Sequence, residues 1–261
     1  MMPQYYPSSV QLVKLLDKTL NIKPDSLLLD NGCGDLFISN LIAEVSGATV
    51  VGVDIKSERM KRFQFRNIIK CTADARFLPF REDCFDYAVC INVLEHIKED
   101  DRAIREIARV TKNNSKVFIS VPNSHPNIAY HKGIMHRLDI LVGHVKRYSL
   151  TELINLLDQS NFHCYHFHYS ALFLGWLTAL SIIRKNTNRH YSIGRRVSFF
   201  RPLLYGFIEA LSLIEQHFFQ KLRCCAQVTI CAQKRDAKEM REEAAKRQSK
   251  YADKAVEEAL Y

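Results

Sequence analysis

The stretch that decides the fold is Leu27-Leu28-Leu29-Asp30-Asn31-Gly32-Cys33-Gly34-Asp35. Three consecutive leucines indicate a short strand that is buried on both faces, as strands of parallel sheets are. The two glycines that follow permit a tight turn, in which the backbone can come close to a ligand. The next segment, Phe37–Val45, carries apolar residues at helical spacing, and Gly47 is placed to end it. Strand, glycine turn and helix together predict the first unit of a nucleotide-binding α/β domain.

A second predicted strand supports this unit and narrows the choice of ligand. Val50–Val53 is followed by Asp54, which lies twenty residues after Gly34. A carboxylate at this position can accept hydrogen bonds from both hydroxyls of a ribose. The third glycine of a dinucleotide fingerprint is replaced by Phe37, which counts against NAD and its pyrophosphate. Asp30 and Asp54 therefore suggest a ligand that has a ribose and no phosphate to repel.

Length and composition fit one large domain or a domain with an insertion. The chain has 261 residues, of which 47% are hydrophobic, enough for a sizeable core. Its net charge of +9 is compatible with an anionic membrane, nucleic acid or an acidic substrate, and equally with a solvated basic surface. The eight cysteines show no paired spacing, so we expect reduced thiols in a cytoplasmic protein. We expect neither a signal peptide nor a membrane-spanning segment.

Further polar residues follow the later strands. The pattern predicts a basic helix at 56–65 and the third, fourth and fifth strands at 67–71, 85–92 and 116–121. Asp74 and Ala75 follow the third strand, at the edge of the sheet that carries Asp54. A carboxylate there can accept from an adenine amino group, although it can also cap the next turn. Val93–Ile97 follows the fourth strand at its carboxyl end, where open α/β sheets bind ligands.

With these motifs in order, the chain resembles the class I S-adenosylmethionine-dependent methyltransferases. The matching pieces run from Leu27 to Asn123: Asp30-x-Gly32-x-Gly34, Asp54, Ala73-Asp74-Ala75, Leu78-Pro79-Phe80, Phe85-Asp86, Val93-Leu94-Glu95-His96-Ile97 and Val121-Pro122-Asn123. The resemblance implies an α/β fold with a doubly wound, mostly parallel sheet of seven strands. It also implies that S-adenosyl-L-methionine is bound by Asp30, Gly32, Gly34, Asp54, Asp74, Ala75 and Asn92, with Asn92 beside the sulfonium.

A later segment refines the resemblance. Gly143–Leu153 is similar to a segment of the polyprenyl-benzoquinol O-methylases and of a wider group that modifies sugars and lipids. In small-RNA 2′-O-methyltransferases, a Glu-x-x-Glu-His motif and a later histidine bind a divalent cation. Here the motif is Asn92-x-x-Glu95-His96, with His144 as the later histidine. The first glutamate of the motif is therefore replaced by asparagine, which puts the cation in doubt.

The resemblance leaves two chemical roles open for Glu95, His96 and His144. These residues can hold a cation such as magnesium (Mg2+), with Asn92 as a weak additional ligand. The cation would lower the pKa of the acceptor oxygen, which could then attack the methyl group. Without metal, His96 or His144 could be the general base, because histidine titrates near neutral pH. Either histidine could instead only shape the pocket or begin a helix.

An apolar insertion separates the last two predicted strands, Phe162–Tyr169 and Gln227–Ala232. Apolar segments in the insertion, residues 171–222, bracket a basic cluster, which fits an interfacial element on an anionic membrane. The same pattern fits a cap over an apolar substrate pocket, a dimer interface or extra helices packed on the core. Residues 234–261 mix charges of both signs and predict a solvated tail.

Together these observations predict one class I methyltransferase domain at 1–233, with a helical insertion before the last strand. The predicted reaction is methyl transfer from S-adenosylmethionine to an oxygen of a small amphipathic or lipid-linked acceptor. The alternatives are RNA 2′-O-methylation, which the basic charge favours, and a non-catalytic binding or scaffold protein. We expect a cytoplasmic location, with peripheral contact to an anionic membrane through 171–222 left open.

Overall fold

Strands and helices alternate along the chain. The structure is a computed structural model that describes residues 7–61, 65–124, 139–170 and 227–236. The strands are β1 (Leu27–Asn31), β2 (Thr49–Asp54), β3 (Ile68–Thr72), β4 (Phe85–Ile91), β5 (Thr111–Pro122), β6 (Phe162–Ser170) and β7 (Gln227–Lys234). The helices are α1 (Pro7–Leu20), α2 (Phe37–Ser46), α3 (Ser57–Met60), α4 (Asp100–Val110) and α5 (Leu150–Asp158), and Leu94–His96 is a 3-10 turn.

The seven strands form one sheet in the order β3-β2-β1-β4-β5-β7-β6. The first five strands pair in parallel, whereas β7 runs antiparallel between β5 and β6. From β1 the chain adds β2 and β3 on one side of the sheet, and then β4 and β5 on the other side. The carboxyl ends of β1 and β4 therefore flank the crevice in which open α/β sheets bind ligands. The predicted α/β fold with a mostly parallel sheet of seven strands is confirmed.

The run of leucines in β1 divides between two cores because alternate residues of a strand point to opposite faces. Leu29 packs on one side of the sheet with residues of α4 and α5. Leu28 packs on the other side with residues of α1 and α2. Both side chains are fully buried. The sheet is therefore covered on both faces, as parallel strands require.

Helix ends and strand ends follow the sequence signals closely, with two differences. Gly47 ends α2 as expected, since it adopts a φ of +75° and its N–H donates to the carbonyl of Ala43. The predicted helix at 56–65 is helical over Ser57–Met60, whereas Lys61 and Phe65 are not, and residues 62–64 lie outside the described residues. Strand β5 begins at Thr111 rather than at 116, because Thr111 pairs with Phe85 ahead of a register irregularity. The polar residues 111–115 lack the apolar pattern by which a buried strand is recognised.

Two predictions fall mainly outside the described ranges, namely the helical insertion at 171–222 and the charged tail. Strand β7 extends to Lys234, one residue past the predicted domain boundary, and the description ends at 236. Within the part of the chain that the structure describes, none of the helices has the length and apolar character that a membrane crossing needs.

Candidate functional site

The glycine loop after β1 has the backbone conformation that its glycines permit. Gly32 has a φ of +94° and Gly34 a φ of +57°, and side chains are rarely found in this region. A Cβ added to Gly32 would lie 2.1 Å from Cγ2 of Val93, so the loop packs directly on the residue that follows β4. Beside Gly34, no described atom lies within 4 Å of such a Cβ. The loop is therefore tightly packed on one side and open on the other.

Asp54, at the end of β2, holds this loop through a hydrogen bond. One carboxylate oxygen accepts a hydrogen bond from the N–H of Gly34 at 3.0 Å, and the other accepts from the N–H of Lys56 at 2.8 Å. Asp54 is 8% exposed. Each carboxylate oxygen can accept more than one hydrogen bond, so Asp54 retains capacity for the hydroxyls of a ribose.

Asp30 is a buried acid at the end of β1. Its carboxylate accepts a hydrogen bond of 2.6 Å from the hydroxyl of Ser39 on α2. Burial raises the pKa of Asp30 to about 6, and the charge of Asp54 adds to the rise, against the opposing effect of Ser39. Buried acids with a raised pKa near a second acid are concentrated at functional sites, where their cost in stability is tolerated.

A cavity of about 550 Å³ adjoins the glycine loop and is lined by Gly34, Asp35, Glu58 and Arg59. Sites that bind small molecules and cofactors usually measure about 300–1,000 Å³. The open space beside Gly34 and the carboxylate of Asp54 thus fit a nucleoside cofactor of the predicted kind. Ala75, another predicted cofactor residue, is partly buried against the main core.

Asp74 is engaged within its own turn. One carboxylate oxygen accepts from the backbone N–H of Arg76 at 2.9 Å, and the other lies 2.7 Å from the guanidinium of Arg76. The hydrogen bond from Arg76 lowers the pKa of Asp74 below its usual range. Arg76 also pairs with Glu99. The capping role considered for Asp74 is therefore present in the structure, and its contact with adenine stays a prediction.

Glu95, His96 and His144 form a cluster beyond the carboxyl end of β4. One ligand atom of each residue lies within 4.8 Å of the other two. Nε2 of His144 is 3.8 Å from the carboxylate of Glu95, and the two imidazole rings are 4.9 Å apart between centroids. The structure thus brings together the three residues that the sequence predicts as catalytic or metal-binding.

Both histidines of this cluster are held through Nδ1. Nδ1 of His96 lies 3.0 Å from the carbonyl oxygen of Gly143, and Nδ1 of His144 lies 2.7 Å from the carboxylate of Asp139. Because these oxygens accept hydrogen bonds, each Nδ1 carries a proton, and in the neutral form of either ring Nε2 presents an electron pair. Burial lowers the pKa of His144, although Asp139 acts in the opposite direction. A neutral imidazole in this state can accept a proton or bind a cation.

The carboxylate of Glu95 is fully buried, and neither oxygen has a hydrogen-bond partner among the described residues. Burial raises the pKa of Glu95 to about 7, although the positive charge of Arg147 opposes the rise. Leaving a buried polar group without a partner costs about 1–3 kcal/mol, and more for a charged group. Such a group is typical of a site that is completed by a proton, a water molecule or an ion.

Asn92 lies directly after β4, at the crevice. It has a φ of +55°, and its side-chain oxygen accepts a hydrogen bond of 2.9 Å from the amide of Gln227 on β7. The amide oxygen of Asn92, which is a possible weak cation ligand, thus already accepts a hydrogen bond from β7. Contact of Asn92 with a sulfonium stays a prediction.

Two residues of this site escape sequence reasoning, namely Asp139 and Tyr148. Asp139 holds His144, as described above. The buried hydroxyl of Tyr148 lies 2.7 Å from the carboxylate of Asp100 and 3.1 Å from the carbonyl oxygen of Leu94. Asp139 could have been found from its short distance in sequence, because it precedes His144 by only five residues. Nothing in the sequence indicates the long-range contact of Tyr148 with Asp100.

The first half of the chain is similar to known methyltransferase sequences. Residues 29–119 match the family of methyltransferase domains. An uncharacterized protein of Methanocaldococcus jannaschii is 37% identical over 111 residues, which are 42% of this chain and 47% of that protein. A ubiquinone biosynthesis O-methyltransferase of Pseudomonas fluorescens is 30% identical over 122 residues, which are 44% of this chain and 51% of that protein. The chain spans about half the length of these curated relatives.

A solved structure extends the likeness to most of the fold. The structure of geranyl diphosphate methyltransferase in complex with SAM has a TM-score of 0.60, with 13% identity over 86% of this chain and 85% of that one. At this identity the likeness concerns the fold alone. The matched family range includes the glycine loop, Asp54 and Glu95 but ends before His144. The place of His144 in the site therefore depends on the geometry.

Proposed function

We propose that this chain is a class I S-adenosylmethionine-dependent methyltransferase that methylates an oxygen atom of a small amphipathic or lipid-linked acceptor. The observation that carries the choice of oxygen is the cluster of Glu95, His96 and His144. A hydroxyl is a weak nucleophile until it loses its proton. The cluster offers two imidazole Nε2 atoms and a buried carboxylate that could take or displace that proton.

The cofactor half of the proposal uses the glycine loop and the acids beside it. S-adenosylmethionine, when bound, supplies a methyl group that is already activated by its positive sulfur. Asp54 would accept hydrogen bonds from the ribose, and Gly34 leaves room for the cofactor beside the loop backbone. The full proposed set is Asp30, Gly32, Gly34, Asp54, Asp74, Ala75 and Asn92. The remaining task of the protein is to align the acceptor and remove its proton.

Two routes to deprotonation use the same three residues. In the first, Nε2 of His144 is the general base, because burial keeps the ring neutral near pH 7. In the second, Glu95, His96 and His144 hold a divalent cation that lowers the pKa of the acceptor hydroxyl. One carboxylate and two imidazoles suit manganese, iron or zinc better than Mg2+, which prefers oxygen ligands. For the second route, we therefore propose such a metal in place of magnesium, and both routes enter the test.

Apolar side chains next to His144 support an acceptor with an apolar part. Ile140, Leu141 and Val145 are 69%, 46% and 49% exposed, respectively. Exposed apolar residues grouped on one segment favour contact with an apolar partner. We propose that they contact the apolar part of the acceptor.

The test begins with calorimetric titration of S-adenosylhomocysteine into the purified full chain. Methyl transfer to polyprenyl phenols, lipid extracts and RNA is then measured with and without a chelator, followed by addition of manganese or magnesium. His144→Gln should abolish transfer without changing cofactor affinity, whereas the matched variant His163→Gln, of an exposed histidine on β6, should have no effect. Transfer that survives in His144→Gln would contradict the assigned role.

A second candidate is methylation of RNA at a 2′ hydroxyl. It is favoured by the net charge of +9 together with the Glu95-His96 and His144 cluster. Binding of RNA that weakens steeply as salt rises, and transfer of label to RNA rather than to lipid extracts, would select it. Failure of S-adenosylhomocysteine to bind would instead favour a non-catalytic scaffold.

A further inference from the structure

A compact ion pair holds His144 from the side opposite the cluster. One oxygen of Asp139 lies 2.7 Å from Nδ1 of His144, and the same oxygen accepts a hydrogen bond of 2.8 Å from Arg147. The other oxygen of Asp139 accepts from Nε of Arg147, also at 2.8 Å. The side chains of His144, Asp139 and Arg147 are only 12%, 18% and 16% exposed. Contacts that are shielded from water in this way are stronger than ion pairs on an open surface.

His144 consequently lies between two carboxylates with different roles. Asp139 contacts Nδ1, and Glu95 lies 3.8 Å from Nε2, too far for a direct hydrogen bond. The bidentate contact with Arg147 orients the carboxylate of Asp139, which accepts a hydrogen bond from Nδ1. Nε2 is left as the nitrogen with an electron pair, on the side where Glu95 lies.

We infer that Asp139 is a positioning residue that fixes the tautomer and orientation of His144, with Arg147 holding Asp139 in place. The role rests on the proposed function, in which Nε2 of His144 either takes the proton of the acceptor or binds a cation. In the first case, the imidazolium that forms is stabilised by the charge of Asp139. In the second case, the contact keeps the electron pair of Nε2 directed at the metal, as carboxylates behind metal-bound histidines do.

Replacement of Asp139 by asparagine separates this role from a purely structural one. Arg147 carries only donors, so it will draw the single oxygen of the asparagine amide toward itself. The NH2 group then faces His144 and donates to Nδ1, which moves the ring proton to Nε2. In serine hydrolases, the corresponding substitution keeps the geometry of the site but produces the wrong tautomer. The size of the side chain and the hydrogen bond from Nε of Arg147 are retained, whereas the second hydrogen bond from Arg147 is lost, because its acceptor becomes the NH2 group.

The experiment uses full-length protein with 15N-labelled histidine. Ring 15N chemical shifts report which nitrogen carries the proton, and His144→Gln assigns the signals of His144. In the unmodified chain we expect the proton on Nδ1, and in Asp139→Asn on Nε2. Turnover should fall by about 10–100-fold, the usual effect of removing such a partner, with S-adenosylhomocysteine affinity unchanged. Asp139→Glu, which keeps the carboxylate, should recover part of the turnover.

Asp101→Asn is the matched control, since it removes a carboxylate that pairs with Arg105 on the exposed face of α4. It should change neither the tautomer nor turnover. An unchanged tautomer in Asp139→Asn, or a changed tautomer with full turnover, would overturn the inference. Full turnover of His144→Gln, or absence of cofactor binding in the unmodified chain, would refute the proposed function instead. If Asp139→Asn does not fold, Arg147→Lys provides the second variant, with a smaller loss of turnover expected.

Discussion

Asp30 should destabilise the folded protein at neutral pH, and Asp30→Asn should therefore stabilise it. Burial raises the pKa of Asp30 from 3.8 to about 6. Because the folded pKa lies above the unfolded one, the folded state binds more protons, and stability is lost as pH rises through about 6. A difference of about two pKa units corresponds to about 3 kcal/mol at pH 7.5, of which about half is already present at pH 5.

Urea unfolding at several pH values measures this effect. The free energy of unfolding of Asp30→Asn should exceed that of the unmodified chain by up to about 3 kcal/mol at pH 7.5 and by about half as much at pH 5. The hydroxyl of Ser39 can still donate to the amide oxygen of the new asparagine, so this hydrogen bond is kept. A gain in stability that does not vary with pH would refute the reasoning, as would a loss at pH 7.5.

Asp86→Asn is a control with the opposite sign. Burial alone would raise the pKa of Asp86, but hydrogen bonds from Lys112 and from the N–H of Leu27 lower it on balance. Its carboxylate thus stabilises the protein above its unfolded pKa, and this stability is lost as pH falls through the folded pKa. Asp86→Asn should therefore destabilise the chain at pH 7.5, whereas Asp30→Asn should stabilise it.

If Asp30 also contacts the cofactor, its replacement will weaken S-adenosylhomocysteine binding while it raises stability.

Three further predictions concern the loop and the segment beyond β5. Asp54→Ala should weaken S-adenosylhomocysteine binding by about 10–100-fold in calorimetry, because it removes charge-assisted hydrogen bonds; unchanged affinity would contradict the assignment. Gly32→Ala should lower the free energy of unfolding by more than about 2 kcal/mol, since backbone strain and the 2.1 Å approach of the new Cβ to Val93 add; Gly143→Ala, with a positive φ and open space around it, should cost only about 1–2 kcal/mol. Tyr148→Phe should cost about 1–3 kcal/mol in urea unfolding, because it removes a buried hydrogen bond to the carboxylate of Asp100, whose same oxygen keeps only its contact with Lys146; a cost near zero would show that the hydrogen bond is dispensable.

The strand, glycine turn and helix of the proposed cofactor half could be predicted because their signals are local. The three leucines, the two glycines and Asp54 each have a direct physical consequence within one strand, turn or helix. Parallel strands then bring the ends of β1 and β2 to the same edge of the sheet. Asp74 shows the limit of this reasoning, since a carboxylate at a strand end can turn either to a ligand or to a neighbour. In the structure it caps its own turn through Arg76.

Strand order and long-range contacts could not be predicted from periodicity. The insertion of β7 between β5 and β6 depends on packing that involves the whole sheet. The polar beginning of β5 was missed because strand pairing, not apolar pattern, defines it. Glu95, His96 and His144 were grouped through family resemblance alone. Residue spacing gives no reason why His144 should lie beside a 3-10 turn that precedes it by almost fifty residues.

The two halves of the site are held by different contacts, and this makes them separable by mutation. Two hydrogen bonds attach the segment that carries His144 to the 3-10 turn. The carbonyl oxygen of Gly143 accepts from Nδ1 of His96, and the N–H of Val145 donates to the carbonyl oxygen of Glu95 at 2.7 Å. The glycine loop is fixed independently by Asp54. Substitutions at 139–149 should therefore change acceptor chemistry while cofactor affinity is retained, and substitutions around Asp54 should do the reverse. A variant such as Asp139→Asn that lost both properties together would show instead that the halves are coupled through the packing of Gly32 on Val93.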